Sequence, residues 1–171
     1  MRKLATIALL AGITAFTSLA ALGCGDKLSI AGLTVRYRQV NAGAHPASIL
    51  AYARQDSAFS GVLSDIQSQK AVKQIGHKFH AVEDSGQLIE ALKTGKYDVL
   101  MADASDAEAL QIQIQSAPSK PALLPVVYKS TTKAEANAIE KRFRCVLKAP
   151  GSPNNYIAAI DDAMALKLSS H

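Results

Sequence analysis

The chain has 171 residues, 49% of them hydrophobic and 19% charged, a composition that suits one globular domain and leaves little room for two. At this size a domain buries roughly 70% of the surface its unfolded chain exposes, so neither a metal nor a disulfide is required to hold it together. The formal charge of +5 shrinks once Arg2 and Lys3 are assigned to an export segment, because 17 of the 19 basic residues then face 14 acidic ones, and so slight an excess without a clustered patch excludes nucleic acid as the expected partner.

Arg2 and Lys3 precede an apolar run over residues 4–22, the charged and apolar regions of a secretory signal peptide spanning 1–23. The run also approaches the length of a membrane-spanning helix. Small residues leading into Ala21-Leu22-Gly23-Cys24 favour cleavage, and hence export to the periplasm or the extracytoplasmic face of a bacterial membrane. Gly23 before Cys24 resembles the bacterial lipoprotein signal, in which the cysteine becomes the lipidated first residue of the mature chain. Ordinary small-x-small cleavage fits the same residues. Several acyl chains at Cys24 would supply the multi-chain membrane anchor that stable attachment needs, at about 0.8 kcal/mol per buried methylene. With Cys24 modified in this way, Cys145 reads as a lone buried thiol.

Residues 24–47 form a tether. Within it Val35 and Tyr37 alternate with Arg36 and Arg38, the pattern of a short edge strand whose two arginines suit a solvated face better than lipid headgroups. Residues 41–46, ending at Pro46, read as a loop.

The domain is expected over 48–168. Residues 48–54 are apolar and bounded by turn-forming residues, a first buried strand. In the helix that follows, Phe59, Val62, Leu63 and Ile66 lie on one stripe but Val72 and Ile75 on another, which predicts a break near 67–69 and a stop at Gly76. Residues 77–82 make a second strand. Asp84 or Ser85 caps a helix carrying Leu88, Ile89 and Leu92, and Thr94-Gly95 ends it. Residues 97–103 are an apolar run ending on Asp103, the third and central strand. Ser105 or Asp106 opens the next helix, although residues 110–115 alternate with a strand-like period. A fourth strand covers 122–128, and Thr132 with Glu135 makes a capping box. A fifth strand covers 143–148, and Ser152-Pro153 starts a last helix with Ile157, Ile160, Met164 and Leu168 at helical spacing. Five β-then-α units in series predict an α/β three-layer sandwich around a parallel sheet, in whose crevice, beyond the carboxyl ends of the strands, a ligand would lie.

Over about 48–168 the chain resembles the receiver domain of bacterial two-component response regulators, most clearly in the block GHKFHAVEDSGQLIEALKTGKYDVLMAD at 76–103. The resemblance implies a flavodoxin-like fold with strand order 2-1-3-4-5. It puts Asp103 at the phosphate-accepting aspartate, Ser130 at the hydroxyl residue that contacts the phosphoryl group, and Lys148 at the phosphoryl-binding lysine. In that family a metal ion and the lysine neutralise charge as the carboxylate attacks a phosphoryl donor. The acidic pair that holds the metal is replaced here by Ala53 and Arg54, Cys145 stands at the aromatic switch position, and Ala149 separates Lys148 from Pro150. The expected protein is therefore a degenerate pseudo-receiver with no metal and no cofactor, in which Arg54 pairs with Asp103 and Lys148 shares that pair.

Set against phospho-acceptance, Asp103 also reads as a helix cap or an ion-pair partner, and Ser130 as part of a helix start. His77 and His80 would point to opposite faces of a strand and share no metal. No phosphate loop, G-x-S-x-G elbow or H-E-x-x-H occurs, so no enzyme is expected. Two roles remain. One is an exported, membrane-tethered, non-catalytic module for an unknown protein partner, presenting Lys141, Arg142 and Arg144. The other is a small extracytoplasmic binding protein holding an anionic ligand among Arg54, Asp103, Ser130 and Lys148.

Overall fold

The computed structural model describes residues 46–169. The expected signal peptide, Cys24, the strand at 34–40 and the arginines Arg36 and Arg38 lie outside the described residues.

Strand β1 (Ser48–Tyr52) is followed by helices α1 (Phe59–Ser68) and α2 (Lys70–Ile75), then β2 (Lys78–Val82), α3 (Ser85–Lys93), β3 (Val99–Asp103) and α4 (Ala107–Ser116). Strand β4 (Ala122–Tyr128), α5 (Lys133–Arg142), β5 (Leu147–Ala149) and α6 (Pro153–Ser169) complete the order. The strands form one parallel sheet in the order β2-β1-β3-β4-β5, the order the sequence resemblance implies.

Side chains alternate across this sheet and divide the core in two. Ile49, Ala51, Val99, Met101, Leu124 and Val126 face α1, α2 and α6, whereas Leu50, Tyr52, Leu100 and Ala102 face α3 and α4. A smaller cluster of Val127, Phe143 and Val146 lies under α5. Central strands β1 and β3 are buried on both faces, so their sequences are near-continuous apolar runs, while the edge strand β2 is mostly exposed.

The predicted break after α1 falls at Gln69, whose extended backbone (φ −64°, ψ 120°) re-phases the chain so that Ile66 and Val72 both reach the core. Fully burying a side chain such as Ile66 contributes roughly 1.5–3 kcal/mol, enough to outweigh the interrupted helix. Gly76 takes the left-handed conformation (φ 84°) that ends α2. Asp84 accepts from the Gln87 N–H at 2.8 Å to cap α3, and Thr132 and Glu135 make the reciprocal capping box of α5. The alternating stretch at 110–115 is helical, because Leu110 and Ile114 are four residues apart and both are buried under the sheet. Tyr156 of α6 is buried, and its hydroxyl donates to Asp65 of α1 at 2.7 Å while accepting from the Gly151 N–H at 2.8 Å.

The fifth strand begins later than expected, at Leu147 rather than 143, with Phe143 instead ending α5. Pro125 explains the shift. In a parallel strand alternate residues bond to opposite neighbours: the Val126 carbonyl accepts from Ala104 on the β3 side, whereas the Lys129 N–H donates to Ala149 on the β5 side. Pro125 has the parity that faces β5 and has no N–H to offer. The β4–β5 pairing accordingly covers Val126–Leu147, Val127–Lys148 and Tyr128–Ala149.

Candidate functional site

Asp103 ends β3 at the carboxyl end of the sheet, beside Val126 of β4. Its carboxylate accepts four hydrogen bonds, all from uncharged donors. The Ser57 hydroxyl (3.0 Å) and the Tyr128 hydroxyl (2.9 Å) reach Oδ2, and the Ser105 N–H (3.0 Å) and hydroxyl (2.9 Å) reach Oδ1. Burial by itself would raise the pKa of Asp103, but the bonds from Ser105, Tyr128 and Ser57 outweigh it and hold the carboxyl below the usual carboxylate range. Burial, and then the bond to Asp103, push the Tyr128 phenol above its ordinary value. The pair is therefore an ionised acceptor and a protonated donor throughout the neutral range.

Tyr128 was not among the residues singled out in the sequence. Its signal was parity: Asp103 lies beside Val126, and Tyr128 is two residues further along the same strand, so its ring leaves the same face of the sheet. Ser57 arrives from the turn between β1 and α1, where its hydroxyl also accepts from the Phe59 N–H at 3.1 Å.

The expected Arg54–Asp103 pair does not form. Arg54 Nη1 lies 3.1 Å from Asp106 Oδ1 and Nε 3.2 Å from Asp56 Oδ1. Asp106 explains the choice. Burial raises its pKa; Arg54 opposes that, the neighbouring carboxylates of Asp103 and Asp56 reinforce it, and the net shift is upward. One of its oxygens is buried without a hydrogen-bond partner. The guanidinium goes to the carboxylate whose charge is least compensated, since Asp103 is already satisfied by hydroxyls and an amide.

Ser130 and Lys148 are not brought to Asp103. Ser130 is exposed in the turn after β4. Lys148 lies on the α5 face of β5, between buried Leu147 and Ala149, and its Nζ is 3.1 Å from Glu140 of α5. Asp103, Tyr128 and Ala149 share the opposite side of the sheet, so the residue level with Tyr128 on β5 is an alanine.

Ala53 is buried in the core and offers no oxygen ligand, and Arg54 is a cation ion-paired with Asp106 and Asp56. Among the described residues no group of three or more His, Cys, Asp or Glu side chains is arranged to hold a metal ion. The residues present do not fit a hard divalent cation. His77 Nδ1 accepts from the Ala47 N–H at 3.1 Å, and His80 stacks on Tyr97 with ring centroids 5.9 Å apart, so each histidine has a structural task. An open depression of about 520 Å³ beside the strand ends is lined by Arg54, Gln55, Asp56, Glu83, Asp84 and Gln87. Three carboxylates line it against one guanidinium, which is ion-paired with Asp56 and Asp106.

No protein-family model matches the sequence, and no curated protein matches it. Solved structures match the fold. A putative response regulator from Chloroflexus aurantiacus is 14% identical with a TM-score of 0.54, covering 70% of this chain and 98% of that one. The receiver domain of the sensor histidine kinase PA1611 from Pseudomonas aeruginosa, which has a magnesium ion coordinated in its active-site cleft, is 12% identical with a TM-score of 0.53 over 70% of this chain and 98% of that one. A response regulator receiver domain protein from Clostridium thermocellum is 18% identical with a TM-score of 0.53, covering 73% and 99% respectively. The described residues thus form a receiver-like α/β domain of the flavodoxin-like fold. Nothing in the described helices is long and apolar enough to cross a membrane.

Proposed function

We propose that the chain is an exported, non-catalytic pseudo-receiver that acts as a protein-interaction module. The observation that carries this reading is the state of Asp103, whose carboxylate is occupied by Ser57, Ser105 and Tyr128 while the nearest arginine serves Asp106. A carboxylate nucleophile needs a free oxygen and a neighbouring cation or metal to accept the charge of the incoming phosphoryl group. Both oxygens of Asp103 are taken by these donors, and the nearest arginine is committed to Asp106.

The interaction face is the one built on α5 and the approach to β5. Alone among the described helices, α5 buries no residue. Its capping box and the cations of its last turn, Lys141 and Arg142, stabilise it locally instead. Lys141 and Arg144 are exposed, whereas Arg142 is bonded to Glu108 of α4 at 2.7 Å. This basic rim suits an acidic partner surface. Attachment to a membrane through lipid at Cys24 belongs to the same reading.

Incubation with an acyl-phosphate donor and magnesium, followed by intact mass, tests the non-catalytic part. An unchanged mass is expected, and a phosphoryl adduct on Asp103 defeats it. For the partner face, proteins retained from the native cell envelope by the wild type should be lost by the K141E/R144E variant. A thermal-shift screen with anionic metabolites should give no rise in melting temperature, and a clear rise would replace the interaction module with a binding protein.

A further inference from the structure

Strand β2 is an outer strand of the described sheet, and its free edge is suited to pairing. The Lys78 N–H donates to the Ala47 carbonyl and the Val82 carbonyl accepts from the Ala53 N–H, so Lys78, His80 and Val82 turn their backbone groups toward β1. Phe79 and Ala81, of the opposite parity, turn theirs outward. Lys78, His80 and Ala81 are exposed and Phe79 is half-buried, so neither helical layer overhangs the edge. Natural edges are commonly closed by a proline, a bulge or a very short strand. Here all five residues keep register with β1 and none is a proline. At the other end of the sheet β5 has only three residues.

Charge decides which way an added strand of this sequence runs. β2 opens on Lys78 and leads into Glu83 and Asp84, all three exposed. A parallel neighbour sets like charges side by side, whereas an antiparallel one brings Lys78 to the acidic end. Outward residues face only outward residues, so Phe79, His80 or Ala81 must stand on the two-fold axis. With Ala81 there, the next pair needs the Glu83 N–H, which already donates to the Gln87 side chain at 3.3 Å. With Phe79 there, Lys78 lies diagonal to its own twin. With His80 there, Phe79 and Ala81 of opposite copies exchange both of their hydrogen bonds, and Lys78 faces Val82 of the second copy, diagonal to its Asp84.

We propose that two copies of the chain pair through the outer edges of β2, antiparallel and centred on His80, so that their sheets join into one. The interface lies at the opposite end of the sheet from α5, which covers Val127 of β4 and Val146 beside β5. Pairing therefore leaves both α5 faces open, one at each far end, and a doubled module engages a two-fold or clustered partner with avidity. An edge of this length makes a small interface, so dissociation in the micromolar range is expected.

The test expresses the full precursor and follows the purified product by sedimentation in mild detergent, up to on the order of 100 µM. Twice the chain mass is expected at the top of the range. A81P removes an outward N–H that bonds to nothing in β1, a position where an edge strand accepts proline, and should leave a folded monomer. K78E sets a carboxylate diagonal to Asp84 and should weaken association at least tenfold, and K78E/D84N, which keeps a helix-capping side chain, should recover much of the loss. Because K78E alters only an exposed side chain, it decides the matter if A81P fails to fold. Cys145 is bonded in a disulfide, contrary to the lone thiol expected from the sequence, and is 2% exposed, so it does not compete with a thiol introduced at position 80. Mild oxidation of H80C should give a covalent dimer whose digest contains the position-80 peptide joined to its own copy. A monomer throughout the concentration range, or a dimer indifferent to both A81P and K78E, overturns the proposal. A81C cross-linking more readily than H80C overturns the register.

Discussion

The Tyr128 hydroxyl donates to Asp103 Oδ2 at 2.9 Å, filling with an aromatic side chain the space beside the carboxylate at the carboxyl end of β3. Replacing Tyr128 with Phe keeps the ring and deletes the donor. The Ser57 and Ser105 bonds survive, so the fold should persist with a loss of about 1–2 kcal/mol in urea unfolding. An unchanged midpoint would show that water replaces the phenol without cost.

Asp103 should behave as a structural acceptor. D103A leaves three hydroxyls and one amide without their shared partner, and is expected to lower stability by about 1–3 kcal/mol while preserving the circular dichroism spectrum and binding through α5. Binding that disappears from a folded D103A protein would place the partner at the crevice.

Arg54 and Asp106 form the coupled pair of the site. R54A strips a partly buried carboxylate of its cation and should destabilise the protein by about 1–3 kcal/mol, whereas in a D106N background the same change should cost little. A double-mutant cycle by denaturant titration measures the difference. Additive losses would mean that Arg54 acts through Asp56 alone.

The two aspartates predict opposite responses to acid. Asp103 has a folded pKa below its ordinary 3.8, so its contribution is complete above that value and is lost as pH falls through the lowered one. Asp106 has a folded pKa above 3.8, so its ionised form weighs against the folded state at neutral pH, and that penalty vanishes once it is protonated. Accordingly D106N should stabilise the protein at pH 7 and have little effect below the ordinary value, while D103N should destabilise it at pH 7 and lose its effect in strong acid. Unfolding curves across that window check both signs.

T132A removes the cap of a helix none of whose residues is fully buried, and should cost about 1 kcal/mol. The loss should be concentrated in faster amide exchange over Lys133–Arg142 rather than in global unfolding.

Much of this architecture is legible in the sequence because its signals are local. Gly76, Asp84, the Thr132–Glu135 box and the clash of phases around Gln69 each report on a turn of chain, and the structure places helix ends at all four. The fold class follows from the order of those signals. The site is less legible because its contacts cross the chain. Ser57 and Asp103 are 46 residues apart, and Tyr128 and Asp103 are 25 apart. Arg54 was expected at Asp103 because both lie at strand ends, but its choice depends on which carboxylate lacks other donors. Lys148 was misplaced for a different reason. It pairs with Val127, whose side chain lies under α5, and Ala149 is the residue of β5 that stands level with Tyr128.

The buried-exposed-buried pattern of β5 has a consequence for how such chains change by insertion and deletion. Along a strand one added residue inverts every side chain after it, whereas two restore the original facing. The single alanine between Lys148 and Pro150 therefore separates two arrangements with nothing intermediate: a cation turned outward to Glu140, or one turned inward toward the ring of Tyr128. Deleting Ala149 while Pro150 keeps its place would draw Lys148 one position along the strand and so move the chain between them in one step. Gradual substitution at Lys148 would never do so.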